Sequence, residues 1–288
     1  MFERLQHLSA ELSSRESAHS GRILPAAHIF QREEVTAFEA VVYNPVICLI
    51  LQGRKEMNVG QQYVALAEGD ALLVSHDLPV TSKITEASSD VPYRALILSL
   101  DLSILRNLYE QVGEAVSEAH NAKSLSASVA DPAWVAPIVR YLELMDAPLD
   151  VQVLGPMILK EIHYRLLLSP IGGMLRNLLS VDSHASRIAK SIQLIRTNFR
   201  EPLVVGELAE VAGMSQSSFH EHFKSVTGTS PLQYQKDLRM IEARVLLERG
   251  APSVSVAGFE VGYESSTHFS RDYSRKFGCS PKHHLMRF

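Results

Sequence analysis

Cysteine is scarce in this 288-residue chain, and long apolar runs are absent. The two cysteines, Cys48 and Cys279, lie far apart in the sequence, so we expect reduced thiols and no structural disulfide. No stretch approaches the ~18 uncharged apolar residues of a membrane-spanning helix. The first 22 residues lack the apolar core of a signal peptide. We therefore expect a cytoplasmic protein without a membrane partner.

Low-complexity tracts and long Gly, Ser or Pro runs are also absent, which excludes a mainly disordered chain. Hydrophobic residues make up 46% and charged residues 21%, as in ordinary folded proteins. The length exceeds that of one core at ~100–200 residues per domain and favours two domains.

Neither sign of charge dominates, since the formal net charge is −4. The two parts of the chain differ, however. Residues 185–288 contain 14 Lys and Arg against 10 Asp and Glu, whereas residues 1–184 contain 14 against 22. An acidic part joined to a basic part indicates that only the C-terminal part binds phosphate.

Short apolar runs broken by turn residues extend from about Val41 to Leu100, as in VVYNPVICLILQG and VPYRALILSL. This pattern predicts a small antiparallel barrel or sandwich. From Ser103 to Leu168 the apolar residues fall at helical spacing, which predicts helices that pack on the barrel or on a second subunit. The helical positions are Leu105, Leu108, Val112, Val116, Trp134, Ile138, Tyr141, Leu142, Met145, Leu154, Ile158, Ile162 and Leu166.

A connector, SPIGGMLRNLLSVDSHA, interrupts this pattern with Pro170, Gly172 and Gly173. We place the boundary near Val181, which gives domains of residues 1–180 and 181–288. The next segment, RIAKSIQLIRTNF, has one apolar stripe and predicts a helix.

Two helix-turn-helix patterns follow, at about 204–227 and 253–277, and the second repeats the first at an offset of 50 residues. Anchors, caps and turn glycines recur together, which predicts a DNA-binding unit rather than two packing hairpins. The equivalent positions are Ser215 and Ser265, Phe219 and Phe269, Phe223 and Tyr273, Gly228 and Gly278, and Ser230-Pro231 and Ser280-Pro281.

Residues 187–288 resemble the DNA-binding region of the AraC/XylS family through SPLQYQKDLRMIEARVLLERG and VGYESSTHFSRDYSRKFGCSP. The segments ICLILQGRKE, GDALLVSHDLPV and PYRALILSLD resemble the cupin-like N-terminal domain of one AraC subfamily. The resemblance implies an α+β multidomain fold, with an N-terminal cupin-like β-barrel plus helices and a C-terminal all-α tandem helix-turn-helix domain. The helix from Leu232 to Leu247 resembles the rigid connector that sets two recognition helices ~34 Å apart on DNA.

The same resemblance implies a sequence-specific transcription regulator, an activator by family tendency. Its expected partners are double-stranded DNA, RNA polymerase, a small-molecule effector in the barrel and a second copy of the chain.

The candidate base readers are exposed positions of the second helix in each module. Arg271 is the foremost, because a guanidinium can bond guanine O6 and N7 together. A salt bridge with Glu264 is the alternative for Arg271. The first module contributes Gln216, Ser217, His220, Glu221 and Lys224, and the second Ser266, Thr267, Ser270, Arg271 and Arg275. Arg239, Lys276 and Lys282 are the expected phosphate contacts.

Polar or reactive side chains on barrel strands are the candidates for an effector pocket, since such groups need a partner. They are Tyr43, Cys48, Arg54, His76, Tyr93 and Arg94. Cys48 has two interpretations, a redox or electrophile sensor and a small buried hydrophobe. Tyr43 and Tyr93 fit equally well as core or rim aromatics.

Two alternatives stay open. A cupin enzyme tethered to DNA needs about three metal ligands, but the barrel segment contains only His76, with His28 upstream. Nucleophile and phosphate-loop motifs are also absent, so we expect no catalytic residue, metal or cofactor. The other alternative is a regulator with an empty barrel, controlled by a protein partner or by abundance, and a barrel packed solid with side chains would favour it.

Overall fold

The structure, a computed structural model, describes residues 1–19, 22–60, 62–112, 124–180, 183–251 and 253–285. The helix position Val116 and the predicted boundary at Val181 lie outside the described residues.

The described strands form two antiparallel sheets. Their bounds are β1 Ala27–Arg32, β2 Glu39–Tyr43, β3 Val46–Gln52, β4 Arg54–Val59, β5 Gln62–Ala67, β6 Asp70–Val74, β7 Leu78–Glu86, β8 Tyr93–Ser99 and β9 Leu125–Val129. The larger sheet has the order β1-β8-β3-β6-β9 and the smaller one β2-β7-β4-β5. The predicted barrel-like N-terminal part is confirmed, and β1 and β9 lie outside the range that the apolar runs indicated.

Strand β3 shows why the apolar run VICLIL occurs. Successive side chains of a strand point to opposite faces. Ile47 and Leu49 belong to the core between the larger sheet and the helices, whereas Cys48 and Ile50 belong to the core between the two sheets. A strand buried on both faces reads as a continuous apolar run rather than as an alternation.

Helices cover one face of the larger sheet. They are α1 Phe2–His19, α2 Leu102–Val112, α3 Pro132–Leu142, α4 Pro148–Val153, α5 Gly155–Leu168 and α6 Gly173–Leu179. Asp131 caps α3 by accepting from the Ala133 N–H at 2.8 Å, and Pro132 occupies the first helical position. The segment predicted to be helical also contains β9, LSASV, which pairs with β6 at the edge of the sheet.

Among its described residues the C-terminal part contains helices joined by turns and loops, and no strand. Its helices are α7 His184–Thr197, α8 Val205–Val211, α9 Gln216–Thr227, α10 Pro231–Glu248, α11 Val254–Glu260, α12 Ser266–Phe277 and α13 Pro281–Leu285. Phe219 and Phe223 are buried in one hydrophobic core, and Phe269 and Tyr273 are buried in a second one. The long helix α10 contributes side chains to both cores and so connects the two modules.

The repeated sequence features act as helix caps in both modules. Ser215 accepts from the Ser218 N–H at 3.3 Å, and Ser265 accepts from the His268 N–H at 3.4 Å. Gly228 and Gly278 end α9 and α12 with φ of 76° and 71°, a region that favours glycine.

Gly258 in α11 provides a test of packing in the second module. An alanine Cβ there would lie 2.9 Å from Cγ and 3.0 Å from Cδ1 of Phe269, whose ring is fully buried. Overpacking lowers the free energy of unfolding by ~1–3 kcal/mol, and the greater helix propensity of Ala over Gly offsets ~1 kcal/mol of that loss. We expect Gly258→Ala to lower the free energy of unfolding by about 1 kcal/mol in urea denaturation.

The matched control is Gly206→Ala in α8, where the nearest atom to the new Cβ is the flexible amide end of Gln216 at 3.3 Å. This variant should be neutral or slightly stabilising. Equal effects of the two variants would contradict the packing role of Gly258.

Candidate nucleic-acid interface and ligand cavity

The candidate base readers lie on the outer faces of α9 and α12. On α9 the exposed side chains are those of Gln216, Ser217, His220, Glu221 and Lys224. On α12, Thr267, Arg271 and Arg275 are exposed, and Ser266 and Ser270 are half-buried. The opposite faces carry the buried phenylalanine and tyrosine side chains, so each helix is amphipathic, with its polar face outward.

Arg271 differs from the neighbouring cations in its lack of an ion pair. Within the described ranges, no carboxylate lies within 4.0 Å of its guanidinium, and the alternative pair with Glu264 is therefore not formed. Arg275 pairs with Asp272 at 2.8 Å, and Lys276 pairs with Asp237 at 2.7 Å. Of these three cations, Arg271 is the one without a carboxylate partner among the described residues.

Arg239, which the sequence predicts to contact phosphate, forms hydrogen bonds within the protein. Its guanidinium donates to the carbonyl oxygens of Phe199, Arg200, Glu201 and Gly262, at 2.6, 2.9, 2.9 and 2.8 Å. These carbonyls belong to the loop after α7 and to the turn of the second module. Arg239 thus joins α10 to both modules with most of its donors in use. Lys282, the remaining candidate phosphate contact, is exposed on α13.

A cavity of about 400 Å³ lies in the barrel, within the ~300–1,000 Å³ range of small-molecule sites. Three of the six predicted pocket residues, Tyr43, Cys48 and Tyr93, line it. Lys55 and His28 also line it, and the sequence prediction did not include them.

The other three predicted pocket residues do not line the cavity. Arg54 pairs with Glu86 at 2.8 Å, and Arg94 donates to the Gln31 side chain at 3.2 Å. Arg54 is the neighbour of Lys55 on β4, and Arg94 is the neighbour of Tyr93 on β8. Neighbouring side chains of a strand point to opposite faces, so Arg54 and Arg94 point away from the interior of the barrel. His76 follows β6 and contacts α7.

Two residues that line the cavity have a buried polar atom without a hydrogen bond among the described residues. These atoms are the Tyr93 hydroxyl, on a side chain that is fully buried, and Nδ1 of His28. Burial, reinforced by Cys48 and Tyr43, raises the pKa of Tyr93 well above its ordinary value. Burial and the Arg22 charge lower the pKa of His28. Both groups are therefore neutral and able to bond a ligand.

Cys48 and Lys55 differ in their charge state. Burial raises the pKa of the Cys48 thiol, with Lys55 opposing it, so the thiol stays protonated at neutral pH. This favours the small-hydrophobe interpretation over the sensor. Burial alone lowers the pKa of Lys55, but Tyr43, Cys48 and Glu39 outweigh it and raise that pKa overall. Lys55 is a cation that donates a hydrogen bond to the Tyr43 hydroxyl.

Strand β2 borders both the cavity and the C-terminal part. Val41, Val42 and Tyr43 line the cavity, and Val42 also packs against the core of the first helix-turn-helix module. The Glu39 carboxylate lies 3.9 Å from the Arg244 guanidinium of α10. One edge strand therefore separates the cavity from the connector helix.

Hydrogen bonds also join the loop after β6 to the helical part. The Tyr234 hydroxyl donates to the Asp77 carbonyl at 2.6 Å, and the Asp77 carboxylate pairs with Arg196. His76 Nε2 lies 3.4 Å from the Ala185 carbonyl oxygen. The barrel thus contacts the first module directly.

Among the residues that the structure describes, no three His, Cys, Asp or Glu side chains are grouped so that they could hold a metal ion. None of the described helices is long and apolar enough to cross a membrane.

Two helix-turn-helix modules on one connector helix, beside a barrel with a cavity, define a DNA-binding regulator. The model of the AraC-type transcriptional regulator N-terminus matches residues 23–174, and that of a helix-turn-helix domain matches residues 208–287. The chain belongs to the AraC family of transcriptional regulators, which confirms the resemblance seen in the sequence.

Individual relatives support the same assignment. The chain is 26% identical over 239 residues to the virulence regulon transcriptional activator VirF of Yersinia enterocolitica, covering 81% of this chain and 86% of VirF. It is 32% identical over 102 residues to the regulator ArgR of Pseudomonas aeruginosa, covering 35% of this chain and only 31% of ArgR. The unsaturated fatty acid bound ToxT of Vibrio cholerae has a TM-score of 0.55 at 13% identity, covering 91% of this chain and 94% of ToxT. At that identity the likeness shows a shared fold alone.

Proposed function

We propose that this regulator binds a specific DNA sequence with both modules and that a small molecule in the barrel controls it. Residues 1–180 form the effector and dimerisation domain, and residues 181–288 form the DNA-binding domain. The observation that carries the proposal is the single strand β2, which borders the cavity with Val41 and Tyr43 and the first module with Val42.

Ligand control follows from this geometry. A ligand that moves β2 changes the surface on which α10 and the first module rest, and it shifts affinity for DNA if it binds one arrangement better. The cavity argues against a barrel packed solid with side chains. The bound fatty acid in ToxT, a protein of similar fold, is consistent with a ligand in this type of regulator.

A second copy of the chain and RNA polymerase are the protein partners we propose. Large apolar side chains are exposed on α4 and α5, with Leu149 at 69%, Val153 at 56% and Met157 at 67%. An apolar surface of this kind favours pairing with another subunit. We propose activation as the outcome, in line with the named role of VirF.

The test is selection of genomic DNA fragments by the purified chain at two salt concentrations. We expect a motif with two half-elements about one helical turn, ~34 Å, apart. Binding without sequence preference, lost steeply as salt rises, would refute the two-module readout under those conditions.

Arg271→Ala is the sharpest variant for this test. Loss of one bidentate guanine contact removes ~1–3 kcal/mol of discrimination, so we expect relaxed preference at one base pair and unchanged preference elsewhere. Fragment selection with the variant measures it. The control is Lys282→Ala, which should weaken all sequences alike. A uniform loss from both variants would rule out base reading by Arg271.

A further inference from the structure

The barrel cavity contains a cation that forms no ion pair among the described residues. Lys55 stands on β4 two and four residues before the buried Met57 and Val59, so it lies on the same face of the strand and faces the barrel interior. In the described part of the chain no carboxylate lies within 4.0 Å of its ammonium group, and its hydrogen-bond acceptor is the hydroxyl of Tyr43. Glu39 lines the same cavity, but its ion pair is with Arg244.

Charge around the cavity has one predominant sign. Arg22 and Arg32 line it at exposed positions, where the cavity meets solvent, and Lys55 lines its interior. Glu39 is the acidic side chain among the described residues that line it. An excess of cations at a partly enclosed site attracts an anion.

A neutral donor belongs to the lining of the same cavity. The fully buried Tyr93 hydroxyl has no partner among the described residues, and an unpaired buried hydroxyl costs free energy unless a ligand completes it. Lys55 and Tyr93 both line the cavity, so a ligand with more than one acceptor oxygen could accept from both. The rest of the lining includes Val41, Val46, Ala95 and Ile97, which suit an apolar body.

We propose that the barrel cavity binds an organic monocarboxylate, with the carboxylate on Lys55 and Tyr93 and the apolar part against β2, β3 and β8. This deepens the proposed function and depends on the barrel being the effector site. A single carboxylate matches the single cation on the interior strand positions, whereas a phosphate dianion would bring excess charge into an apolar enclosure.

The test compares acids with matched neutral and cationic compounds on the full chain. The probes are octanoate, octanol and octylamine, together with phenylacetate, phenylethanol and phenylethylamine, measured by calorimetric titration. We expect at least one acid to bind roughly tenfold or more tightly than its alcohol, because a charge-assisted hydrogen bond in a protected site contributes that much. The amine should not bind.

Three variants test where the carboxylate of the acid binds: Lys55→Met, Tyr93→Phe and the control Lys83→Met. Lys83 lies on β7 and pairs with Glu56, so its loss should leave acid binding within twofold. Lys55→Met should weaken the acid about tenfold or more and leave the alcohol unchanged, and Tyr93→Phe should weaken the acid several-fold. Thermal unfolding of each free variant shows that it is folded.

The inference is overturned if the alcohols bind as tightly as the acids, if Lys55→Met keeps the acid affinity, or if no acid binds. None of these results affects the DNA test. Loss of the proposed function would appear instead as an absence of any selected DNA motif, so the two failures are distinguishable.

Discussion

Replacing Arg239 by methionine is expected to lower the free energy of unfolding by roughly 3 kcal/mol or more. The guanidinium donates to four carbonyl oxygens from two segments, the loop at 199–201 and the turn at Gly262. Methionine keeps most of the apolar stem and removes every donor. Each hydrogen bond to a charged group contributes ~1.5–3 kcal/mol, and water can replace part of the loss because the side chain is half-buried.

Urea unfolding followed by circular dichroism measures this loss, and Arg249→Met is the control. Arg249 is exposed just after α10 and forms no ion pair within the described residues, so its removal should change stability by less than ~0.5 kcal/mol. Arg239→Lys should recover little or only part of the lost free energy of unfolding, because a lysine has three donors and lacks the planar guanidinium.

DNA binding distinguishes this role from the phosphate contact that the sequence favoured. A lost phosphate contact lowers the salt dependence of binding by about one counter-ion, whereas a lost structural contact leaves that slope unchanged while the protein is folded. A stable Arg239→Met protein with a reduced slope would restore the phosphate assignment.

The hydrogen bonds of Arg239 show where sequence reasoning is limited. The periodic anchors Phe219 and Phe269, the caps Ser215 and Ser265 and the terminal glycines are local signals, and they predicted both modules. The partners of Arg239 are carbonyls 23 to 40 residues away in the chain. No residue type marks a carbonyl acceptor, so only the folded arrangement identifies it.

The cavity shows a second limit of sequence reasoning. On short strands the sequence does not determine which side chains point into the barrel. Cys48 and Tyr93 stand out in the sequence as polar or reactive groups on strands, and both face inward. The sequence pattern favours Arg54 for the pocket, but its neighbour on β4, Lys55, is the one that faces the interior, and only one of the two can do so. A shift of one residue exchanges the two faces of a strand, and the turn before β4 leaves its phase undetermined by the sequence pattern.

Acidification is expected to weaken the contact between the barrel and the helical part through His76. The ring is almost fully buried, with 4% of its surface exposed, and Nε2 lies 3.4 Å from the Ala185 carbonyl oxygen. Because a carbonyl accepts, Nε2 carries the proton, and Nδ1 accepts from the Ser75 hydroxyl at 2.8 Å. The folded protein therefore holds a neutral imidazole.

Burial lowers the pKa of His76 from 6.5 to about 4, although the Ala185 carbonyl and Asp77 oppose the shift. The unfolded chain thus binds more protons between pH 4 and 6.5, so stability rises with pH in that window. The contribution of the neutral, buried His76 to the free energy of unfolding is present in full above pH 6.5. It is lost as the pH falls toward 4, which lowers the free energy of unfolding by ~3 kcal/mol.

His76→Gln isolates this contribution, since the other titrating groups are common to both proteins. Glutamine retains a donor and an acceptor but has no charge to gain. We expect the decrease in the free energy of unfolding from pH 7 to pH 4 to be smaller in the variant by about 3 kcal/mol, measured by urea unfolding at several pH values. His283→Gln, on the exposed part of α13, should change nothing. If His76→Gln has the same pH dependence as the natural protein, His76 is not held neutral by burial at this contact.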